Sequence, residues 1–485
     1  MFIDPPLRPS VDPRHVLADN FAPVDELPPT DCEVIHGSLP PCLNGAYIRN
    51  GQNPQFFPRG PHHLFDGDGM LHAIRISNGR ATLCSRYVKT YKYATERDVG
   101  YAVFPKIFSG FNSLIAATAR GMVTAARILA GQFNTSNGSG VANTSLGFFG
   151  GSLYALCESD LPYRLTLASD GDVVTVGRHD FDGEAFAFRY GPMRPFLTFF
   201  RFDASGNKQQ DVPIFSMACP SFVHDFAITE KHAIFPDNQI GINPMDMILG
   251  KGSAVGANLA KVPRLGVIPR YAKDESEMRW FNVPGYNVLH VVNAWDDGDR
   301  VVMVAPNILS IEHTLERTDL THLSMEKVII NLKTGVVWRH PVSTRSLDFG
   351  VINSAYLGKK NKYVYAAVGT PMPKVSGVVK LDLSVSEEDR CECIVASRMY
   401  GPRCYGGEPF FVAREPDNPE TDEDDGYLVS HVHDESTRES KFLVMDAKSA
   451  TLNIVAALKL PGRVPYGFHR IFVRASELSK APKTA

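Results

Sequence analysis

Fifteen histidines are spread over 485 residues, and three of them share a setting that the others lack. His224 stands in P-S-F-V-H-D-F-A-I-T (220 to 229), His290 in N-V-L-H-V-V-N-A-W (287 to 295) and His469 in V-P-Y-G-F-H-R-I-F (464 to 472). Each lies in an apolar run that reads as a strand, with an acid, an asparagine or an aromatic ring close by. Strand alternation puts His224 on one face with Phe222, Phe226 and Ile228, His290 with Val288, Val292 and Ala294, and His469 with Ile471. A lone inward histidine is more often a satisfied core residue than a ligand. Three from separate strands predict convergence on one metal, and neutral imidazoles suit iron, copper or zinc better than calcium or magnesium. Glu158, Asp348 and Glu408 are candidate carboxylates to accept the far ring N–H of each histidine and so fix its tautomer; otherwise they are ordinary loop acids. His15, His36, His313, His322 and His340 sit in polar or turn contexts and read as surface residues.

The elements that must hold these residues are strands. From residue 64 onward, short β-branched and aromatic runs alternate with turn residues, as in 81–93, 196–203, 325–342, 362–368 and 439–460. Ala204-Ser205-Gly206-Asn207 and Lys333-Thr334-Gly335 read as hairpin turns. Some 400 residues of this pattern exceed one sandwich, so the expected architecture is an all-β propeller, without a strict sequence repeat. One segment differs. Within 107–131, Ile115, Met122, Ala126 and Leu129 recur at helical spacing, with Arg120 and Arg127 on another face. Such a helix suits a membrane surface as well as it suits packing on the β body.

Composition removes several classes. Fifty Lys and Arg against 53 Asp and Glu give a net charge of -3, which offers no basic field for a phosphate backbone, so no nucleic-acid partner is expected. No apolar run reaches the length of a membrane-spanning helix. Eight sparse cysteines point to a reducing compartment without disulfides. Residues 1–30 read as a proline-rich extended arm with neither a signal-peptide core nor transit-peptide character. Residues 31–476 read as a single domain with a helical insertion about 101–131, and 477–485 as a tail.

The stretches Y-I-R-N-G-Q-N-P (47 to 54), H-L-F-D-G-D-G-M-L-H (63 to 72), V-H-D-F-A-I-T (223 to 229), Y-G-G-E-P-F-F-V (405 to 412) and R-V-P-Y-G-F-H (463 to 469) resemble the carotenoid cleavage dioxygenases. The resemblance runs in order from about residue 20 to 474 and is greatest to the plastid branch numbered 4. It implies a seven-bladed β-propeller, helices over one face, and iron(II) on the axis held by four histidines backed by three acids. His224, His290 and His469 fall on three ligand motifs; Glu158, Glu408 and, one carbon shorter, Asp348 fall on the acid positions. It also implies O₂ as co-substrate, a carotenoid or apocarotenoid cleaved at the 9,10 and/or 9',10' bond to a C13 ketone such as β-ionone, and a plastid location, where the segment about 107–131 is the candidate for contact with a membrane or plastoglobule.

The chain departs from the family in one place. Relatives follow F-D-G with an apolar strand ending in T-A-H-P, then a polar turn, then F-A-F. Here Gly183 is followed directly by Glu184 and by Ala185-Phe186-Ala187-Phe188. One strand and the first ligand histidine are expected to be absent, shortening one blade; His179 corresponds to an upstream position rather than to that ligand. Two further expectations follow: an impaired isoform that only binds apocarotenoid or membrane, and a 9-cis-epoxycarotenoid dioxygenase.

Overall fold

The computed structural model describes residues 7–479 apart from 107, 110–117, 119–121, 124, 128, 132–133, 159, 180–183, 250–252, 315–316, 370–371 and 386–391. The fold is mostly β, a propeller of antiparallel strands. The run predicted over 196–203 forms Leu197–Phe202, and its turn closes because Asp203 Oδ1 accepts the amides of Ser205 and Asn207 while Gly206 takes φ 76°.

Both ends of the chain close the ring. Glu33–Gly37 pairs with Ile454–Lys459 in the last blade, and the C-terminal strand Arg470–Arg474 pairs with Gly45–Arg49 in the first. The seam is filled from both blades: Leu39, Tyr47 and Ile74 pack with Val429, Phe442 and Leu458 in one buried cluster.

The second blade has four strands, ordered Val173–Arg178, Tyr163–Leu167, Ser152–Leu156 and Ser145–Phe149. The next has three among the described residues: Ala185–Tyr190, Leu197–Phe202 and Val212–Ile214. This short sheet begins just after Gly183, where one strand is expected to be absent, although 180–183 themselves lie outside the described residues.

Two local expectations need correction. The run 81–93 is not all strand: Arg80–Tyr87 ends it, and Tyr91–Val99 is a helix capped by Thr90, whose hydroxyl accepts the Tyr93 amide. Nor do the three histidines lie within strands. His224 precedes Ala227–Ile228, His290 precedes Asn293–Asp297 and His469 directly precedes Arg470–Arg474. The His469 carbonyl accepts the Asn50 amide at 3.0 Å, extending the pairing of the strand that follows it, whereas the backbone around His290 is tied down by side chains. Asp225 accepts the Val291 amide at 2.8 Å, and the Asn238 side chain bonds both the N–H and the C=O of Val288.

In the segment 107–131, Met122, Val123, Ala125, Ala126, Arg127 and Leu129 are helical, while Ile115 and Arg120 lie outside the described residues. Met122 is 63% and Leu129 89% exposed, so neither is packed on the β body. Arg127 lies over the Tyr101 ring and donates to its hydroxyl.

Candidate metal centre

Three blade entrances bring the histidines together. One ring nitrogen from each of His224, His290 and His469 lies within 4.8 Å of the others, and the ring centroids are 5.1 to 5.9 Å apart. Glu158, just beyond the strand Ser152–Leu156, accepts a hydrogen bond from His224 Nδ1 at 2.7 Å. Asp348, in Val337–Val351, accepts one from His290 Nδ1 at 2.9 Å. Glu408 faces His469 Nδ1 at 3.3 Å and accepts from Arg470 Nη2 at 3.0 Å.

The shorter Asp348 reaches its histidine through a distorted strand. The register shifts between Asp348 and Val351, and Phe349 adopts φ 50°, a left-handed value uncommon for a bulky residue. That conformation lays the Phe349 ring 4.9 Å from the ring of His290 and 6.1 Å from that of His469. Phe222 stacks on His224 at 5.9 Å.

The electrostatics follow from these pairs. Burial disfavours ionised Glu158, but the His224 hydrogen bond and charge, with help from Thr144, hold its carboxyl down at about 2. Burial would lower His290, yet the carboxylate of Asp348, with those of Asp225 and Glu408, raises it to about 9 without a metal. Glu408 is likewise lowered: burial opposes ionisation, and the Arg470, His469 and His290 charges overcome it. With Nδ1 engaged, the other nitrogen of each ring is left to donate. Three neutral nitrogens, each braced by a carboxylate, fit a divalent transition metal.

Among the described residues, no further His, Cys, Asp or Glu joins this group. His179 is exposed at the end of Val173–Arg178, outside the cluster. Motif reading had located the six paired residues. It missed Asp225, Thr144, Phe349 and Arg470, whose roles are set by contacts distant in sequence; the only local signal was that Asp225, Phe349 and Arg470 adjoin paired residues.

The centre opens into a cavity of about 1550 Å³. Its wall is aromatic: Phe65 meets Phe108 and Phe468 edge-on at 5.5 and 5.2 Å, and Phe222 meets Phe108 and Tyr190 at 6.1 and 5.8 Å. The exposed helical residues Met122 and Val123 stand at the same cavity.

A histidine centre at the blade entrances of a propeller, facing a long apolar cavity, defines a metal-dependent class acting on apolar molecules. Residues 21–474 match the family described as retinal pigment epithelial membrane protein, RPE65. The probable carotenoid cleavage dioxygenase 4, chloroplastic, of Arabidopsis thaliana is 66% identical over 501 aligned positions, covering 99% of this chain and 84% of the relative. The 9-cis-epoxycarotenoid dioxygenase NCED1, chloroplastic, of Oryza sativa subsp. japonica is 58% identical, covering 98% and 78%. The lignostilbene dioxygenase of Pseudomonas brassicacearum superposes with a TM-score of 0.80 at 20% identity, over 96% of this chain and 99% of that one. The chain belongs to the RPE65/carotenoid oxygenase family. The alignment to the A. thaliana relative runs over 501 positions against 485 residues here, so that relative carries residues this chain lacks.

Proposed function

We propose that this chain cleaves a conjugated double bond of a carotenoid or apocarotenoid with O₂, at the 9,10 and/or 9',10' position, releasing a C13 ketone such as β-ionone. The observation that carries this reading is the convergence of three carboxylate-backed histidines on an aromatic cavity. His224, His290 and His469 would hold iron(II), which when bound supplies the one-electron chemistry that O₂ requires. The protein's own residues do the positioning. Glu158, Asp348 and Glu408 retain the Nδ1 protons and so keep the donor nitrogens turned inward. Phe65, Phe222, Phe349 and Phe468 line the path of a rigid polyene, fixing which double bond lies beside the histidines, and their apolar surface excludes water.

Relatives named as chloroplastic support action in a plastid. Exposed Met122 and Leu129, on the helical segment beside the cavity, suit a membrane or plastoglobule surface from which an insoluble polyene would enter.

The three-stranded sheet favours a second reading. With the strand bearing a fourth histidine absent, the chain would bind a polyene and turn it over slowly or not at all. Iron analysis together with product detection from β-carotene separates the two. Stoichiometric iron with a volatile ketone supports cleavage; bound polyene without iron or ketone supports the binder.

A further inference from the structure

Two arginines are buried side by side in the seam that closes the ring. Arg49 and Arg470 are cross-strand partners in register, and His72 is the partner of Arg49 on its other side, so the three side chains leave the sheet at one level. Arg49 is 4% and Arg470 7% exposed. From the last blade, His431 meets Tyr47 edge-on at 5.0 Å, which brings its ring to the same place.

Arg49 Nη2, Arg470 Nε and Nη1, His72 Nε2 and both ring nitrogens of His431 are buried without a protein hydrogen-bond partner among the described residues. Glycines make the room. A Cβ at Gly467 would collide with the Arg49 guanidinium, and one at Gly51 would stand 2.6 Å from Arg49 Nη2. A small cavity bounded by Tyr47, Arg49, His431, Gly467 and Arg470 leaves space for about one water-sized occupant.

The charges here do not balance. Guanidinium stays protonated in proteins, so two permanent positive charges face each other. Glu408 serves Arg470 but is shared with His469. Arg470 is the charge that bears on Arg49; Tyr47 is a neutral phenol, and no carboxylate pairs with Arg49 among the described residues. Burial, followed by the Arg49 charge, keeps His72 and His431 neutral. Arg463, close by, is bound by the Asn20 side chain and the carbonyls of Ala22 and Pro23 and brings no acid with it. Water can satisfy N–H donors, but it cannot cancel the second charge.

We propose that this cage binds one halide-sized monovalent anion, which neutralises the Arg49 and Arg470 pair and steadies the chain of Arg470, Glu408 and His469 behind the histidine centre. The donors are N–H groups and the space is small, which selects a compact anion over a phosphate or carboxylate.

Melting curves in sodium bromide and in sodium gluconate of equal ionic strength test this. The wild type should melt at a temperature that rises with bromide concentration and not with gluconate. Arg49→Met should lose that response and, in gluconate, melt at or above the wild type, because it no longer buries an unbalanced charge. Should Arg49→Met fail to fold, diffraction from wild-type crystals grown in bromide decides, with an anomalous peak expected between Arg49 and Arg470. Identical wild-type curves in the two salts, or a bromide crystal whose cage holds water only, would overturn the proposal.

Discussion

His290 makes the sharpest test at the scale of single residues. His290→Ala should remove most bound iron and any cleavage, since two remaining protein nitrogens compete poorly with water and buffer. His232 is the control, because it too is paired with a carboxylate, Asp296 at 2.7 Å, yet stands outside the cluster; His232→Ala should retain iron, and metal analysis of both variants reads the contrast. The acids behind the histidines should differ among themselves. Asp348→Asn should weaken iron binding by roughly 10- to 100-fold. Glu408→Gln should weaken it similarly and also destabilise the fold by about 3 kcal/mol in denaturant titrations, because it removes the only carboxylate among the described residues that is bonded to buried Arg470. Acidity gives a third expectation. Metal-free His290 keeps its proton up to about 9, so a metal binding below that pH must displace it. Calorimetry at pH 7 in buffers of different ionisation enthalpy should register proton release, and affinity should climb with pH until about 9. For the metal-free fold the sign is opposite. A histidine raised from 6.5 stabilises fully below about 6.5, and that contribution fades as pH rises through about 9. The three histidines were legible in the sequence because residue type and apolar setting coincide there. The roles of Asp225 and Arg470 were not, since Asp225 bonds a residue 66 positions away and Arg470 one 62 away, and such pairs leave no periodicity.

Among the elements, the three-stranded sheet has the most direct consequence. Inserting the missing strand and turn from a relative after Gly183 should give tighter iron binding and faster ketone release, measured on matched preparations of both chains; equal iron and equal rate would make the extra histidine dispensable. The helical segment gives the other expectation at this scale. Replacing exposed Met122 and Leu129 with serine should reduce binding to liposomes, since about 25 cal/mol is lost for each Å² of apolar surface no longer inserted, and should leave melting nearly unchanged. Strands were legible wherever β-branched runs met turn residues, as at Leu197–Phe202. The helix Tyr91–Val99 was hidden because its first residues, Tyr91, Lys92 and Tyr93, extend a β-like composition, and only the Thr90 cap marks the change. The entrances carrying the histidines read as strands because they are extended and apolar, while around His290 the hydrogen bonds go to Asp225 and Asn238 rather than to a neighbouring strand.

For the whole molecule, closure and the histidine centre depend on the same late segment. Phe468 lines the cavity, His469 joins the cluster, Arg470 enters the cage, and Arg470–Arg474 completes the first blade beside Gly45–Arg49. The propeller was foreseeable from strand density, but the pairing of residues near 45 with residues near 470 was not, because no local pattern encodes so distant a partner. Synthesis meets this arrangement in chain order. At about 5 to 20 residues per second, a ribosome needs roughly ten to forty seconds to pass from His290 to His469. Throughout that interval the nascent chain offers at most two of the three imidazoles, and the first blade lacks its C-terminal strand. Capture of a metal by all three donors thus has to wait for residue 469, and any product halted before it is left without both the third donor and the clasp of the ring.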